Sequence, residues 1–125
     1  LDITHLAARP ITELSGGERR RVFLARALAT GAPVQLWDEP ASALDVRHAL
    51  EVYRLAASLA SEGHALMVSL HDLRAAYRFP RVLVMDRGRL VGDGPPHAVL
   101  TAALLREVFR VEATFVESLV PELPA

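Results

Sequence analysis

The spacing of apolar and polar residues changes along this chain, and each change marks an element. Residues 1–13 hold no sustained period and read as a loop or a short helix end. From Ser15 to about Thr30 the chain reads as a helix. Ser15 is its cap, and Glu18, three residues on, completes a capping box. Gly31 and Pro33 end it. Val34-Gln35-Leu36-Trp37 is a short apolar run ahead of two acids and predicts a buried strand, with Gln35 the awkward member that would face a polar neighbour. Asp45 caps a second helix through about Glu62, and Gly63 closes it. Ala65–Leu70 predicts a second buried strand, with His71 directly after it. Asp72 then caps a helix to about Phe79, which Pro80 stops. Val82–Met85 and Arg89–Val91 flank Asp86-Arg87-Gly88, the pattern of a hairpin with glycine at a left-handed position. Pro95 and Pro96 precede helical stretches around His97–Leu100 and from Thr101 to about Arg110. Val111–Val116 reads as a last strand and Pro121–Ala125 as a loose tail.

Strand, helix, strand, helix is the pattern of an α/β domain with a parallel sheet. Ligands of such sheets bind at the carboxyl ends of the strands. Asp38 and Glu39 end one strand and His71 ends the next, so two acids and a histidine are expected on one edge of the sheet. Composition narrows the picture. The chain has 125 residues, 51% of them hydrophobic, which is enough for a packed core and excludes a solvated disordered chain. A net charge of −1 gives no reason to expect a nucleic-acid partner. Cysteine is absent, so there is neither a disulfide framework nor a thiolate metal site. No apolar run approaches the roughly 20 residues that span a bilayer, and the start has no signal-peptide layout. The first residue is not methionine, so a piece of something longer is expected. All 14 basic residues are arginine. A phosphate-binding G-x-x-x-x-G-K-[ST] loop needs a lysine, so this chain contains none.

Four short constellations carry candidate chemistry. In Leu14-Ser15-Gly16-Gly17-Glu18, a serine and two glycines open a helix. Its free N–H groups and dipole suit an anion, and glycine lets a phosphate approach the backbone; a well-capped helix start fits the same residues. In Asp38-Glu39-Pro40, Asp38 could hold Mg²⁺, largely through water. Glu39 could orient and deprotonate a water attacking a γ-phosphate; both acids could equally cap the next turn. In Ser42-Ala43-Leu44-Asp45, Asp45 is a good helix cap whatever else it does. In His71-Asp72, a histidine at a strand end can donate to a phosphate oxygen and sense its presence. His5, His48, His64 and His97 have no such setting.

In this order and at this spacing, the four constellations resemble the ATP-binding-cassette (ABC) ATPase family. Leu14–Glu18 is similar to its signature motif, and Arg19–Val22 with Ala25–Leu28 to its signature helix. Val34–Glu39 resembles the Walker B strand with the catalytic glutamate, Ser42–Asp45 the D-loop, and His71 the switch histidine. Arg81–Gly94 resembles the strand pair that follows. The likeness covers nearly the whole chain, with departures: Glu18 stands where glutamine is frequent, Gln35 interrupts an apolar strand, and Phe79-Pro80 replaces a small residue and aspartate. It implies a partial P-loop NTPase fold, a parallel sheet with flanking helices and the P-loop half missing. Residues 1–31 would end a helical signature subdomain, and 32–125 would form the second half of the ATPase core with carboxyl-terminal helices and tail.

That resemblance implies a subunit that pairs head to tail with a second nucleotide-binding subunit, a homodimer being expected, with ATP and Mg²⁺ as cofactors. Ser15, Gly16 and Gly17 would touch the γ-phosphate of ATP held by the partner. Asp38 (metal), Glu39 and His71 (catalysis) would act on ATP held by the chain's own upstream P-loop. Asp45 would cross the dimer interface. Permease subunits would turn the cycle into transport, with the ATPase peripheral on the cytoplasmic face of the membrane. Without its P-loop the 125-residue chain is expected to be inactive alone. Val99–Thr101 through Val111–Ala113 resembles the tail of importers for iron chelates, haem or cobalamin. Two other readings stay open: a non-transport ABC ATPase of DNA repair or chromosome maintenance, and a non-catalytic truncated remnant. His71, Ala25–Leu28 and Arg81–Gly94 favour transport.

Overall fold

A computed structural model describes residues 1–113 of the chain. Of the strand expected at 111–116, residues 111–113 form no strand; 114–116, like the expected tail at 121–125, lie outside the described residues. These residues gather into two compact units, one spanning Leu1–His71 and one running onward from Asp72.

In the first unit, short 3-10 turns at Thr4–Leu6 and Ile11–Glu13 lead to helix α1, Gly16–Leu28. Ser15 caps α1 as its sequence predicts. Its hydroxyl accepts the Glu18 N–H at 3.2 Å, and its own N–H donates to Glu18 Oε2 at 2.8 Å. Two of the helix's unsatisfied amino-terminal donors are thereby paired. Leu14, ahead of α1, is buried, as are Leu24 and Arg21 on the helix itself; Arg21 Nη1 lies 3.4 Å from both the Leu1 and the Asp2 carbonyl.

Strand β1, Val34–Trp37, pairs in parallel with strand β2, Ala65–Val68, in the register Val34↔Ala65, Gln35↔Leu66, Leu36↔Met67 and Trp37↔Val68. Helix α2, Val46–Ser61, connects them and packs on β2, burying Leu50, Val52 and Ala56. The expected burial of β1 is corrected here. Side chains alternate across a sheet, and the buried face of β1 holds Gln35 and Trp37, while Val34 and Leu36 stand 62% and 75% exposed. Gln35 tolerates burial because its amide is used: Oε1 accepts the Trp37 indole N–H at 2.9 Å, and Nε2 donates to the Ala32 carbonyl at 3.4 Å. The second strand is likewise shorter and less buried than expected. It ends at Val68, and Met67 shares the exposed face with Leu36.

In the second unit, Asp72 caps helix α3, Leu73–Ala76, by accepting the Arg74 N–H at 2.9 Å. The helix expected to reach Phe79 stops three residues earlier. The N–H groups of Tyr77, Arg78 and Phe79 bond back three residues, to the Arg74, Ala75 and Ala76 carbonyls. The Pro80 ring disfavours helical backbone at the residue before it, so the segment tightens into 3-10 turns. Strands β3, Val82–Asp86, and β4, Arg89–Gly94, form the predicted antiparallel hairpin. Arg87 and Gly88 are both left-handed at its turn, with φ of 46° and 76°, the pairing a type I′ turn requires. Helix α4, Pro96–Val99, packs across the hairpin. A Cβ at Gly92 would lie 2.7 Å from Val99 Cγ1, so only glycine admits this approach. Helix α5, Ala102–Leu104, runs into a π-turn at Leu105–Phe109. Among the described residues, Val84, Pro96, Val99, Leu100 and Leu105 are buried around this hairpin and its following helices.

Candidate functional site

The parallel ladder continues one step beyond β2, where the Ser69 N–H donates to the Trp37 carbonyl at 2.9 Å. Ser69 therefore stands opposite Asp38, the first residue beyond β1. Here the chain turns sharply: Glu39 is left-handed, with φ 45°, and its carbonyl accepts the Ser42 N–H at 3.0 Å. A non-glycine residue held in that region costs about 1–3 kcal/mol, so the surrounding bonds must enforce it. The turn brings Glu39 Oε1 to 2.7 Å from His71 Nε2. Ser69 ties the two strand ends together: its hydroxyl donates to Asp38 Oδ1 at 2.6 Å and accepts the Glu39 N–H at 2.8 Å. The edge thus gathers Asp38, Glu39 and His71, the three residues the sequence places at strand ends. His71 is 84% exposed and Glu39 36% exposed at the side chain, so a soluble ligand reaches both.

A hydroxyl has one proton and two lone pairs, and each bonded group here receives the matching part: the acceptor carboxylate takes the proton, the donor amide a lone pair. Chemically, the edge offers a carboxylate beside an imidazole, suited to holding and relaying a proton, and a second carboxylate held in place. No group of three or more ligating side chains converges on a metal position among the described residues. One pinned, surface carboxylate is nonetheless the donor set that suits Mg²⁺, which keeps several waters and takes phosphate oxygens as further ligands. Asp38 fits that role and would be its protein ligand.

A second constellation lies at the start of α1. A Cβ at Gly16 would meet nothing within 4 Å, which leaves the backbone open to a ligand. Gly17 packs near the loop before α2, where its Cβ would come 3.4 Å from Leu44 Cδ2 and 3.7 Å from the Ala43 carbonyl. The signature-like and D-loop-like segments of one chain are therefore neighbours. The Ser15 cap employs a lone pair of its hydroxyl, which leaves the O–H proton for an anion. Asp45 caps α2, with Oδ1 accepting the His48 N–H at 2.9 Å and Oδ2 lying 2.8 Å from His48 Nδ1.

These caps set an acid dependence. Bonds from Ser15 hold the Glu18 carboxyl below its ordinary value, and bonds from His48 do the same for Asp45. A carboxyl depressed in the folded state adds stability that is present above its unfolded value and is lost as pH falls through the folded one. The starts of α1 and α2 should therefore be firm at neutral pH and loosen on acidification below the ordinary carboxylate range. Amide exchange at Glu18 and His48 that stayed equally slow through that acid range would contradict this. Ser15→Ala should cost roughly 1 kcal/mol, read from chemical denaturation, with faster exchange at the Glu18 amide.

The sequence did not single out Ser69 or Arg21. Serine is common, and its position matters only once the register is known; counting two residues back from His71 along a parallel strand would have set it opposite Asp38. The burial of Arg21, one of three consecutive arginines, has no signal in the pattern.

In sequence and in fold the chain is similar to proteins of one kind. The ABC transporter family model matches residues 1–42, which include Ser15, Gly16, Gly17, Asp38 and Glu39. A hemin import ATP-binding protein of Nocardia farcinica is 53% identical over 110 residues, covering 87% of this chain and 38% of that protein. A cobalamin import ATP-binding protein of Halobacterium salinarum is 45% identical over 109 residues, covering 86% and 27%. Among solved structures, a metal-chelate type ABC transporter in an inward-facing conformation is similar with a TM-score of 0.77 and 31% identity, covering 94% of this chain and 49% of that one. An ATP-binding cassette in a dimeric post-hydrolysis state, bound to ADP and Pi, gives a TM-score of 0.64 and 30% identity, covering 68% and 37%. The chain spans less than half the length of each of these proteins.

Proposed function

We propose, from the premise that this chain belongs to the ABC ATPase family, that it supplies the hydrolytic edge of an ATP-binding subunit driving import across a membrane. The observation that carries this reading is the 2.7 Å contact between Glu39 Oε1 and His71 Nε2, beside Asp38 on one sheet edge. Glu39 is the general base that takes a proton from water as it attacks the γ-phosphate of ATP. The single proton on His71 Nε2 steadies the Glu39 carboxylate here and turns to the transferring phosphoryl group when nucleotide is bound. Asp38 holds the nucleotide's Mg²⁺, which offsets the phosphate charge when bound. Ser15 presents a hydroxyl proton and Gly16 an open backbone, with Gly17 the next residue of the same helix start, to ATP on a second nucleotide-binding subunit, and Asp45 couples the two sites.

The subunit sits peripherally on the inner face of the membrane, docked on permease partners; no helix among the described residues is long and apolar enough to cross a membrane. Haem, an iron chelate or cobalamin is the cargo class, by extension from the hemin and cobalamin import proteins it resembles. A lysine-bearing phosphate loop has to come from sequence beyond these 125 residues, which contain no lysine. The isolated chain accordingly neither holds ATP tightly nor turns it over.

A graft tests both halves of the reading. This chain is exchanged for the matching segment of the Nocardia farcinica hemin import protein. The chimaera should hydrolyse ATP at a rate comparable to the host, while the 125-residue chain alone should show no steady turnover. A folded chimaera that binds ATP but never hydrolyses it, or a lone chain with Glu39-dependent turnover, would overturn the reading.

A further inference from the structure

We propose that Ser69 is a positioning residue for ATP hydrolysis, a hydroxyl clasp that sets Asp38 and Glu39 at once. The inference rests on the function proposed above and extends it to a residue that no motif contains.

The geometry leaves Ser69 little freedom. Its N–H is committed to the Trp37 carbonyl, which fixes its place along the sheet opposite Asp38. Its one hydroxyl proton goes to Asp38 Oδ1 at 2.6 Å, a short bond to a charged acceptor and hence of the stronger kind. With that proton spent, an oxygen lone pair takes the Glu39 N–H at 2.8 Å. Glu39 is the residue whose backbone is left-handed at φ 45°. A bond to the amide of a strained residue restrains that strain directly. The carboxylate that meets His71 at 2.7 Å therefore hangs from a backbone that Ser69 holds. One side chain on β2's extension thus orients the metal-holding acid through its carboxylate and the base through its peptide. Small misplacements of reacting groups lower turnover steeply, whereas ATP affinity is set mostly by the phosphate loop, which Ser69 does not form.

Alanine removes both bonds, and threonine keeps the hydroxyl. In the graft described above, Ser69→Ala should lower kcat about tenfold or more and leave the KM for ATP within about twofold. Ser69→Thr should restore kcat to near the parent value. In the 125-residue chain, hydrogen exchange at the Glu39 amide should quicken in Ser69→Ala and stay slow in Ser69→Thr. Parental kcat in Ser69→Ala, measured beside an inactive Glu39→Gln, overturns the clasp and leaves the proposed function standing. Parental kcat in Glu39→Gln removes the proposed function, and the clasp goes with it. A loss of kcat that Ser69→Thr does not recover, accompanied by a matching fall in Tm for both variants, reduces Ser69 to a structural residue and also overturns the proposal.

Discussion

Glu39→Gln in the grafted subunit should lower ATP turnover by roughly 10²- to 10⁴-fold, the range that a positioned general base contributes, with ATP binding retained. Glutamine matches glutamate in size and accepts a hydrogen bond at the same place. The left-handed turn, the Ser69 bond to the backbone amide and the overall fold should persist. What disappears is the ability to take a proton. The contact with His71 also loses its charge, since the 2.7 Å partner becomes an amide. Single-turnover hydrolysis measured beside equilibrium ATP binding separates the two effects. A variant that binds and hydrolyses like its parent would show that Glu39 is not the base. The companion change, His71→Ala, removes the partner and leaves the carboxylate, and should therefore cost less than Glu39→Gln.

The largest expected effect on stability lies in the other unit. Leu100, only 1% exposed, follows α4 directly, and its N–H bonds to the Pro96 carbonyl at 2.8 Å. Truncating a buried leucine to alanine removes its transfer free energy and leaves a cavity, at about 2–5 kcal/mol. Leu100→Ala should fall toward the upper part of that range, because the surrounding backbone has little room to collapse. Gly92 already brings β4 so close to Val99 that a methyl group would collide. Urea denaturation of the parent and the variant measures the difference; a loss below about 1 kcal/mol would mean that the hairpin and its helices repack freely. Hydrogen exchange in β3 and β4 should quicken along with it. Leu100→Met, which preserves volume, should cost under about 1.5 kcal/mol.

Helix starts were plain in the sequence because each depends on a local bond. Ser15, Asp45 and Asp72 reach a backbone N–H two or three residues on, and their spacing alone predicts it. The gathering of Asp38, Glu39 and His71 was legible for a different reason: parallel strands put their carboxyl ends on one side. What stayed hidden depends on neighbours far along the chain. Four residues as apolar as Val34–Trp37 do not disclose which face is packed, and the face chosen was the one where Gln35 can accept from Trp37. The left-handed turn at Glu39 and the clasp at Ser69 require a partner 30 residues away, beyond any local period. The early end of α3 was half legible: Pro80 was visible as a stop, but not how far back it tightens the preceding turns.

The exposed stripe of Val34, Leu36 and Met67 makes the lone chain a poor citizen of dilute solution. Two strands are marginal as an independent sheet in water, and an uncovered apolar face invites capture by whatever greasy surface arrives first. A fluorescent dye such as ANS should light up on it, and light scattering should climb with protein concentration. Lysine at Leu36 should dim the dye and slow the clumping, at no charge to Trp37 and Gln35 on the opposite side.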